Sequence, residues 1–254
     1  PAGAAHVRIG PRTQTPGAVT ADPRRQAAPA AGRGEVREDG EGAASLRAPA
    51  RQGEPRRKEE VIRPLRLEGH AALVTGASRG LGLGFVKALA AAGAEVWAIA
   101  ENAEELERAC ATVSGSAPLH PLVADLRRKS DAARVIATVQ QLRPELSVLV
   151  NNAAIQPLKS LSDTDDSTWD AALAVNLTAP FLLTRLAVPL MRVAGGSIIN
   201  VSAAAGIQGF ACEASYCATK FGLEGFTRAA AHRGRMPVSY THLRAHETDS
   251  YLVC

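Results

Sequence analysis

Short apolar runs alternate with helix-length segments through the middle of the 254-residue chain, from about Ile62 to Arg235. The runs HAALV, EVWAIA, LSVLV and GSIINV have the length and composition of buried strands. The segments between them are long enough for helices. This alternation predicts a parallel sheet with helices on both faces, an α/β doubly wound fold of the Rossmann type.

Charged and amide residues interrupt the two longest apolar stretches, Leu81–Ala100 and Ala171–Met191, so neither is expected to span a membrane. Strands are predicted at His70–Val74, Glu95–Ala100, Leu119–Ala124, Leu146–Val150 and Gly196–Val201. Helices are predicted at Leu81–Ala92, Ala103–Val113, Ser130–Leu142, within Trp169–Met191 and at Ser215–Ala231.

Residues 1–60 differ in composition from the rest of the chain. They contain no Phe, Tyr or Trp and show no helical or strand period, so they cannot bury enough apolar surface to fold. Residues 1–66 carry 13 Lys+Arg and 8 Asp+Glu, which places the basic charge here. The interspersed acidic residues argue against a transit peptide and, with no aromatic to stack on bases, against nucleic-acid binding. The segment is expected to be disordered, or upstream sequence translated before a true start near Val61.

The strand at His70–Val74 runs into a glycine-rich turn, Thr75–Gly82, which leads into a helix. Gly76, Gly80 and Gly82 leave the backbone amides open to a pyrophosphate, and the helix N-terminus behind them adds partial positive charge. A second strand that ends at Glu101 supports a dinucleotide site over an ordinary tight turn.

The spacing Gly-x-x-x-Gly-x-Gly is similar to that of the classical short-chain dehydrogenases/reductases. Further motifs of that family follow in order between Leu67 and Arg228. They are Asp125 after the third strand, Asn151-Asn152-Ala153-Ala154 after the fourth, Asn176 in the next helix and Tyr216-x-x-x-Lys220 after the fifth.

The resemblance implies an oxidoreductase that interconverts an alcohol and a carbonyl with NAD or NADP. Arg79 favours NADP, whereas Glu101 would repel a 2′-phosphate, so the choice of cofactor stays open. The implied cofactor contacts are Gly76, Ser78, Arg79, Gly80, Leu81 and Gly82 at the turn, Glu101 near the ribose, Asp125 and Leu126 at the adenine, Asn152 and Ala153 at the adenosine ribose, and Tyr216 and Lys220 at the nicotinamide end.

Tyr216 is implied as the general acid/base. A free tyrosine has a pKa near ~10, and Lys220, one helical turn further on, would stabilise its phenolate. Asn176 would hold a water that links Lys220 to solvent. The family's catalytic serine falls at Ala203, and Ser202 comes one place earlier, where a strand turns its side chain to the opposite face. Rearrangement at the strand end would be needed for Ser202 to serve.

The chain departs from the family after Arg235, where a sixth strand, a Pro-Gly turn and a substrate-binding segment are expected. Residues 237–254 show no apolar period and no strand signal. Val238–Thr248 resembles one translated frame of a common transposase-based sequencing adapter, and residues 237–254 are expected to be adapter-derived. His242, His246 and Cys254 are therefore not expected to bind a metal.

The expected family domain is thus 61–236 and partial, with the strand Gly196–Val201 as an exposed edge that compromises folding. The alternatives are an active oxidoreductase and a nucleotide-binding pseudoenzyme or inactive fragment. A sugar epimerase or dehydratase of the extended branch is disfavoured by the glycine spacing.

A small-molecule alcohol or carbonyl substrate and a homo-oligomer of the full-length form are expected. The four cysteines lack metal-ligand spacing and suit a reducing, cytoplasmic compartment.

Overall fold

The computed structural model describes residues 66–191, 195–231 and 238–245. The expectations for residues 1–60 and for 246–254 lie outside these described residues. The strands are β1 (Ala71–Thr75), β2 (Glu95–Ala100), β3 (Leu119–Val123), β4 (Val148–Asn151), β5 (Gly196–Ala203) and β6 (Val238–Ala245). The helices are α1 (Gly80–Ala91), α2 (Ala103–Cys110), α3 (Lys129–Leu142), α4 (Asp166–Leu173), α5 (Ala179–Met191) and α6 (Ala214–Ala231).

All pairings in the sheet are parallel, and the strand order is β3-β2-β1-β4-β5-β6. The order reverses between β1 and β4, which opens a crevice at the carboxyl ends of these strands, where ligands of doubly wound folds bind. The predicted fold class is confirmed.

Two apolar cores lie on opposite faces of the sheet, as expected for parallel strands that are buried on both sides. On one face, Leu73, Leu149 and Ile198 pack with α3 and α5. On the other face, Val74 and Val150 pack with α1 and α2. The sheet is therefore held rigidly, and its carboxyl edge is a fixed platform for loops.

A chain of buried polar side chains links the second half of the sheet to its helices. Asn151 Nδ2 donates to Asn200 Oδ1 at 2.8 Å and to Thr184 Oγ1 at 3.3 Å. Asn200 Nδ2 in turn donates to Thr227 Oγ1 at 2.8 Å. Sequence reasoning did not identify this network, because an Asn within an apolar run carries no sign of its partner. It joins β4 and β5 to α5 and α6.

Helical structure continues from Asp166 to Met191, with a π-helical turn at Ala174–Thr178 between α4 and α5. By length and composition this stretch could cross a membrane, but 56% of its most apolar window is buried inside the fold. Leu183 and Met191 belong to the core on the α3 side of the sheet. The stretch is accounted for as a core helix of the α/β domain.

The expectation that β5 forms an exposed edge is wrong. Val238–Ala245 pairs with β5 in parallel over the whole of β5, from Gly196↔Val238 to Ala203↔Ala245. The free N–H and C=O groups of β5 are a template for an extended chain, and Val, Tyr and Thr in this segment favour strands. The expectation of no strand signal after Pro237 is therefore also wrong, whereas the adapter origin of residues 237–254 stays a prediction.

We predict that ending the chain after Met236 removes β6 and leaves β5 unpaired, so that the protein self-associates. Light scattering and binding of a hydrophobic dye should both rise relative to the full chain. Deletion of residues 246–254 alone keeps β6 and is the matched control. Equal solubility of all three chains would contradict the role given to β6.

Candidate active site

The turn between β1 and α1 depends on glycine at three positions for different reasons. Gly76 has φ 65° and Gly80 has φ 53°, a left-handed conformation that glycine adopts without strain. A Cβ on Gly76 would lie 2.9 Å from the Ala153 Cα, and a Cβ on Gly82 only 1.9 Å from the Gly76 carbonyl oxygen. A Cβ on Gly80 would have no protein atom within 4 Å. Close packing on one side and open space at Gly80 fit a backbone approached by a pyrophosphate.

Thr75 and Asn152 hold this turn against the end of β4. The Thr75 hydroxyl accepts hydrogen bonds from the backbone N–H groups of Asn152 (3.0 Å) and Ala153 (3.1 Å) and donates to the Val150 carbonyl (3.3 Å). Asn152 Nδ2 donates to the carbonyls of Thr75 and Gly76 at 3.0 and 3.2 Å. The implied cofactor residues Asn152 and Ala153 are thus placed beside the glycine turn.

The other turn residues occupy the start of α1. Arg79 precedes its first residue and is exposed. Ser78 is half-buried, whereas Leu81 is exposed to solvent. The turn therefore offers one cationic side chain and one hydroxyl beside its backbone amides.

Carboxylates follow β2 and β3, and one arginine joins them. The Arg127 guanidinium pairs with the Glu101 carboxylate and, through Nε, with Asp125 Oδ1 at 2.9 Å. Arg128 Nε lies 3.3 Å from Asp125 Oδ2. The hydrogen bond from Arg127 lowers the pKa of Asp125 below its usual value, so this carboxylate stays charged. Sequence reasoning named Glu101 and Asp125 but missed Arg127, whose only signal was its position just beyond a strand end.

Tyr216 and Lys220 lie one turn apart on α6 and are both buried, with 4% and 3% of their surfaces exposed. The Lys220 ammonium donates to the Val201 carbonyl of β5 at 2.9 Å. Its Nζ lies 5.4 Å from the centre of the Tyr216 ring. The predicted pair is therefore brought together, with its positive charge fixed beside the phenol.

Ala203 and Ser202 face different surroundings. Ala203 belongs to a small buried cluster with Tyr216, Ala205 and Cys217. The Ser202 hydroxyl is buried and points toward Gly206, since a Cβ there would lie 2.6 Å from Ser202 Oγ. The position beside Tyr216 thus carries a methyl group, and the neighbouring hydroxyl lies on the opposite side of the strand.

Asn176 lies in the π-helical turn, a feature that often marks functional sites. Its Oδ1 accepts from the Ile155 N–H at 2.8 Å, and its Nδ2 donates to the Ile155 carbonyl (2.8 Å) and to Thr219 Oγ1 (3.1 Å). Thr219 Oγ1 donates to the Tyr216 carbonyl at 2.7 Å. Asn176 therefore ties the loop after β4 to α6. Its link to a water stays a prediction, and sequence reasoning missed Thr219, which bonds both Asn176 and the Tyr216 carbonyl.

A cavity of about 350 Å³ lies apart from Tyr216 and Lys220. Leu126 and Arg127 line it, together with residues of α4, the π-helical turn and α5. It therefore adjoins the adenine end of the expected site, and neither Tyr216 nor Lys220 lines it.

Among the described residues, no group of three or more His, Cys, Asp or Glu is placed to hold a metal ion. His246 and Cys254 lie outside that part of the chain.

A family model described as short chain dehydrogenase matches residues 70–237. The chain therefore belongs to the short-chain dehydrogenase family, a family of NAD(P)-dependent oxidoreductases.

Individual relatives are similar over the same region. A trans-4-hydroxycyclohexanecarboxylate dehydrogenase of Sinomonas cyclohexanicum is 38% identical over 175 residues, which cover 65% of this chain and 67% of the relative. A D-beta-hydroxybutyrate dehydrogenase of Cupriavidus necator is 36% identical over 171 residues, 65% of each chain. The crystal structure of a metagenomic short-chain oxidoreductase in complex with NADP is 34% identical, with a TM-score of 0.65, and covers 70% of this chain and 82% of that one. The chain spans about two thirds of the length of the curated relatives it matches.

We predict that Gly82→Ala destabilises the domain by about 1–3 kcal/mol or more, because its Cβ would collide with the Gly76 carbonyl. Gly84→Ala is the control in the same helix, where a Cβ would meet nothing within 4 Å. The control should be neutral or stabilised by about 0.5–1 kcal/mol, owing to helix propensity. Urea denaturation measures both, and equal stabilities would contradict the tight turn.

Proposed function

We propose that this chain transfers a hydride between NAD(P) and a small-molecule alcohol or carbonyl, with Tyr216 as the general acid/base. The observation that carries the proposal is the buried Tyr216–Lys220 pair on α6, which packs against β5. The glycine turn after β1 lies at the same carboxyl edge of the sheet. A nucleotide-binding turn and a proton-transfer pair therefore share one edge.

The residues present fit a dinucleotide. Gly76, Ser78, Arg79, Gly80, Leu81 and Gly82 would hold the pyrophosphate, Glu101 the ribose, Asp125 and Leu126 the adenine, and Asn152 and Ala153 the adenosine ribose. Open space at Gly80 beside the tightly packed Gly76 and Gly82 supports this assignment. When bound, the nicotinamide ring supplies the hydride donor or acceptor.

The protein's part is to move one proton at the Tyr216 hydroxyl. Phenol is a weak acid, and an ammonium nearby stabilises the phenolate that forms when the proton leaves. Lys220 supplies that charge, and its hydrogen bond to the Val201 carbonyl keeps the ammonium in place. Burial of both groups strengthens their electrostatic interaction relative to water. Reduction of a carbonyl uses the proton from Tyr216, and oxidation of an alcohol returns it.

A second candidate function is a nucleotide-binding pseudoenzyme or an inactive fragment. Ala203 favours it, because the side chain packed beside Tyr216 offers no hydroxyl to a substrate oxygen. Loss of one such donor typically costs on the order of 10²–10³ in rate. Ser202 does not repair the loss, since its hydroxyl faces Gly206. The proposed enzyme is therefore a slow one as this sequence stands.

The substrate is proposed to contact an apolar rim. Leu158 and Leu161, in the loop between β4 and α4, and Ile207 and Phe210, in the loop between β5 and α6, are all at least 40% exposed. The two loops touch, since the Lys159 N–H donates to the Cys212 carbonyl at 2.9 Å. The Lys159 ammonium donates to the Thr168 hydroxyl on α4 at 2.8 Å.

A homo-oligomer is proposed for the full-length form in the cytoplasm. Trp169 on α4, Phe181 on α5 and Phe221 on α6 are each more than a third exposed, which is a typical composition for a buried contact between copies. Sedimentation of the unmodified chain and of Phe181→Glu tests this assignment, with a monomeric unmodified chain as the contradicting result. Leu142→Glu on α3 is the control for loss of an exposed apolar side chain elsewhere.

We predict that Tyr216→Phe lowers turnover on a carbonyl panel by about 10²–10⁴-fold. It should lower nucleotide affinity far less than turnover, because most of the proposed nucleotide contacts lie at the glycine turn and after β2, β3 and β4. Ala203→Ser should raise turnover by about 10²–10³-fold, because it restores a donor beside Tyr216. Oxidation of NADH and NADPH followed by absorbance measures both. Nucleotide binding without turnover in the Ala203→Ser chain would favour the pseudoenzyme.

A further inference from the structure

The ion pairs around Arg127 lie where two neighbouring strands end. β2 and β3 are paired in parallel up to Ala100↔Val123, and Glu101 and Asp125 follow directly beyond. Asp125 is fixed from behind, since its backbone N–H donates to Asp131 Oδ2 at 2.9 Å. In the proposed nucleotide site, this is the place of the adenosine ribose and adenine.

Arg127 is only partly committed to these carboxylates. A guanidinium has five N–H donors, and the observed pairs use Nε toward Asp125 and one terminal nitrogen toward Glu101. The side chain is 48% exposed, and no further partner among the described residues takes its other N–H groups. A planar guanidinium with free donors is well suited to a phosphate.

The charge balance beyond the ends of β2 and β3, around Glu101 and Asp125, depends on Arg127. Glu101 by itself would repel a 2′-phosphate and would accept a hydrogen bond from a 2′-hydroxyl. With Arg127 in contact, the Glu101 charge is offset at the point where that phosphate would lie. Arg128 contributes differently, because its side chain pairs with Asp125 alone among the described residues, at 3.3 Å, and is 68% exposed.

We propose that Arg127 makes this chain selective for NADP(H): it neutralises Glu101 and presents its remaining N–H groups to the 2′-phosphate. This inference rests on the proposed nucleotide site. It names Arg127 as the selecting residue, and it explains how a chain with Glu101 at the ribose accepts a phosphate there. Binding of NAD(H) depends little on Arg127, because a 2′-hydroxyl needs no cation.

The test is an equilibrium titration of the full chain with NADPH and with NADH, followed by nicotinamide fluorescence. The unmodified chain should bind NADPH more tightly than NADH. Arg127→Ala should raise the dissociation constant for NADPH about 10- to 100-fold and change that for NADH less than about threefold. Arg128→Ala, the matched control, should leave the NADPH-to-NADH ratio within about threefold of the unmodified chain.

The Glu101→Gln/Arg127→Ala double variant checks the charge argument. Removal of the carboxylate should recover much of the NADPH affinity that Arg127→Ala loses. Equal loss of both nucleotides in a chain that melts like the unmodified one would overturn the inference, as would an unchanged ratio. If Arg127→Ala does not fold, Arg127→Lys takes its place, and the inference then requires a smaller change in the same ratio. Binding of neither nucleotide to the unmodified chain would refute the proposed function itself, together with this inference.

Discussion

The Thr75 hydroxyl joins β1 to β4 at the place where the strand order reverses. It accepts two backbone N–H groups that follow β4 and donates to a carbonyl within that strand. With the Asn152 amide bound to the carbonyls of Thr75 and Gly76, it satisfies polar groups that the crevice would otherwise bury unpaired. The glycine turn can then pass close to the β4 loop and leave its other side open. The nucleotide end of the proposed site depends on these hydrogen bonds of Thr75 and Asn152.

The proposed catalytic end is held by a separate set of contacts. The Asn176 side chain hydrogen-bonds to the N–H and the carbonyl of Ile155 and to the Thr219 hydroxyl. The Thr219 hydroxyl in turn donates a hydrogen bond to the Tyr216 carbonyl. Lys220 is anchored on β5 through Val201. Buried polar groups of this kind are costly to leave unpaired, so these hydrogen bonds fix the position of α6. They also fix the position of the Lys220 ammonium on that helix. Ala203 packs beside Tyr216 in the same region, and in the proposed site its methyl group stands where a hydroxyl would assist the reaction.

Much of the fold and the site follows from local pattern. Glu95–Ala100 was predicted with both of its ends, because the run is apolar, short and bounded by a glycine and a helix cap. Tyr216 and Lys220 were predicted as a pair because Tyr-x-x-x-Lys after the fifth strand resembles the family motif, and their spacing of one helical turn places them on one face of α6. Arg127, Thr219 and Asn200 were missed, since each acts through a partner far along the chain that no local pattern reveals. The strand at Val238–Ala245 was missed for a related reason, because its order comes from pairing with β5.

The carboxyl edge from the glycine turn to α6 is the proposed binding site for a nicotinamide nucleotide. Hydrogen–deuterium exchange of the full chain with and without NADPH shows whether the nucleotide lies there. We expect slower exchange on addition of NADPH in residues 75–82, 100–102, 125–128, 151–155 and 216–220, with the remainder unchanged. No protection in these segments, or protection confined to other parts of the chain, would contradict it.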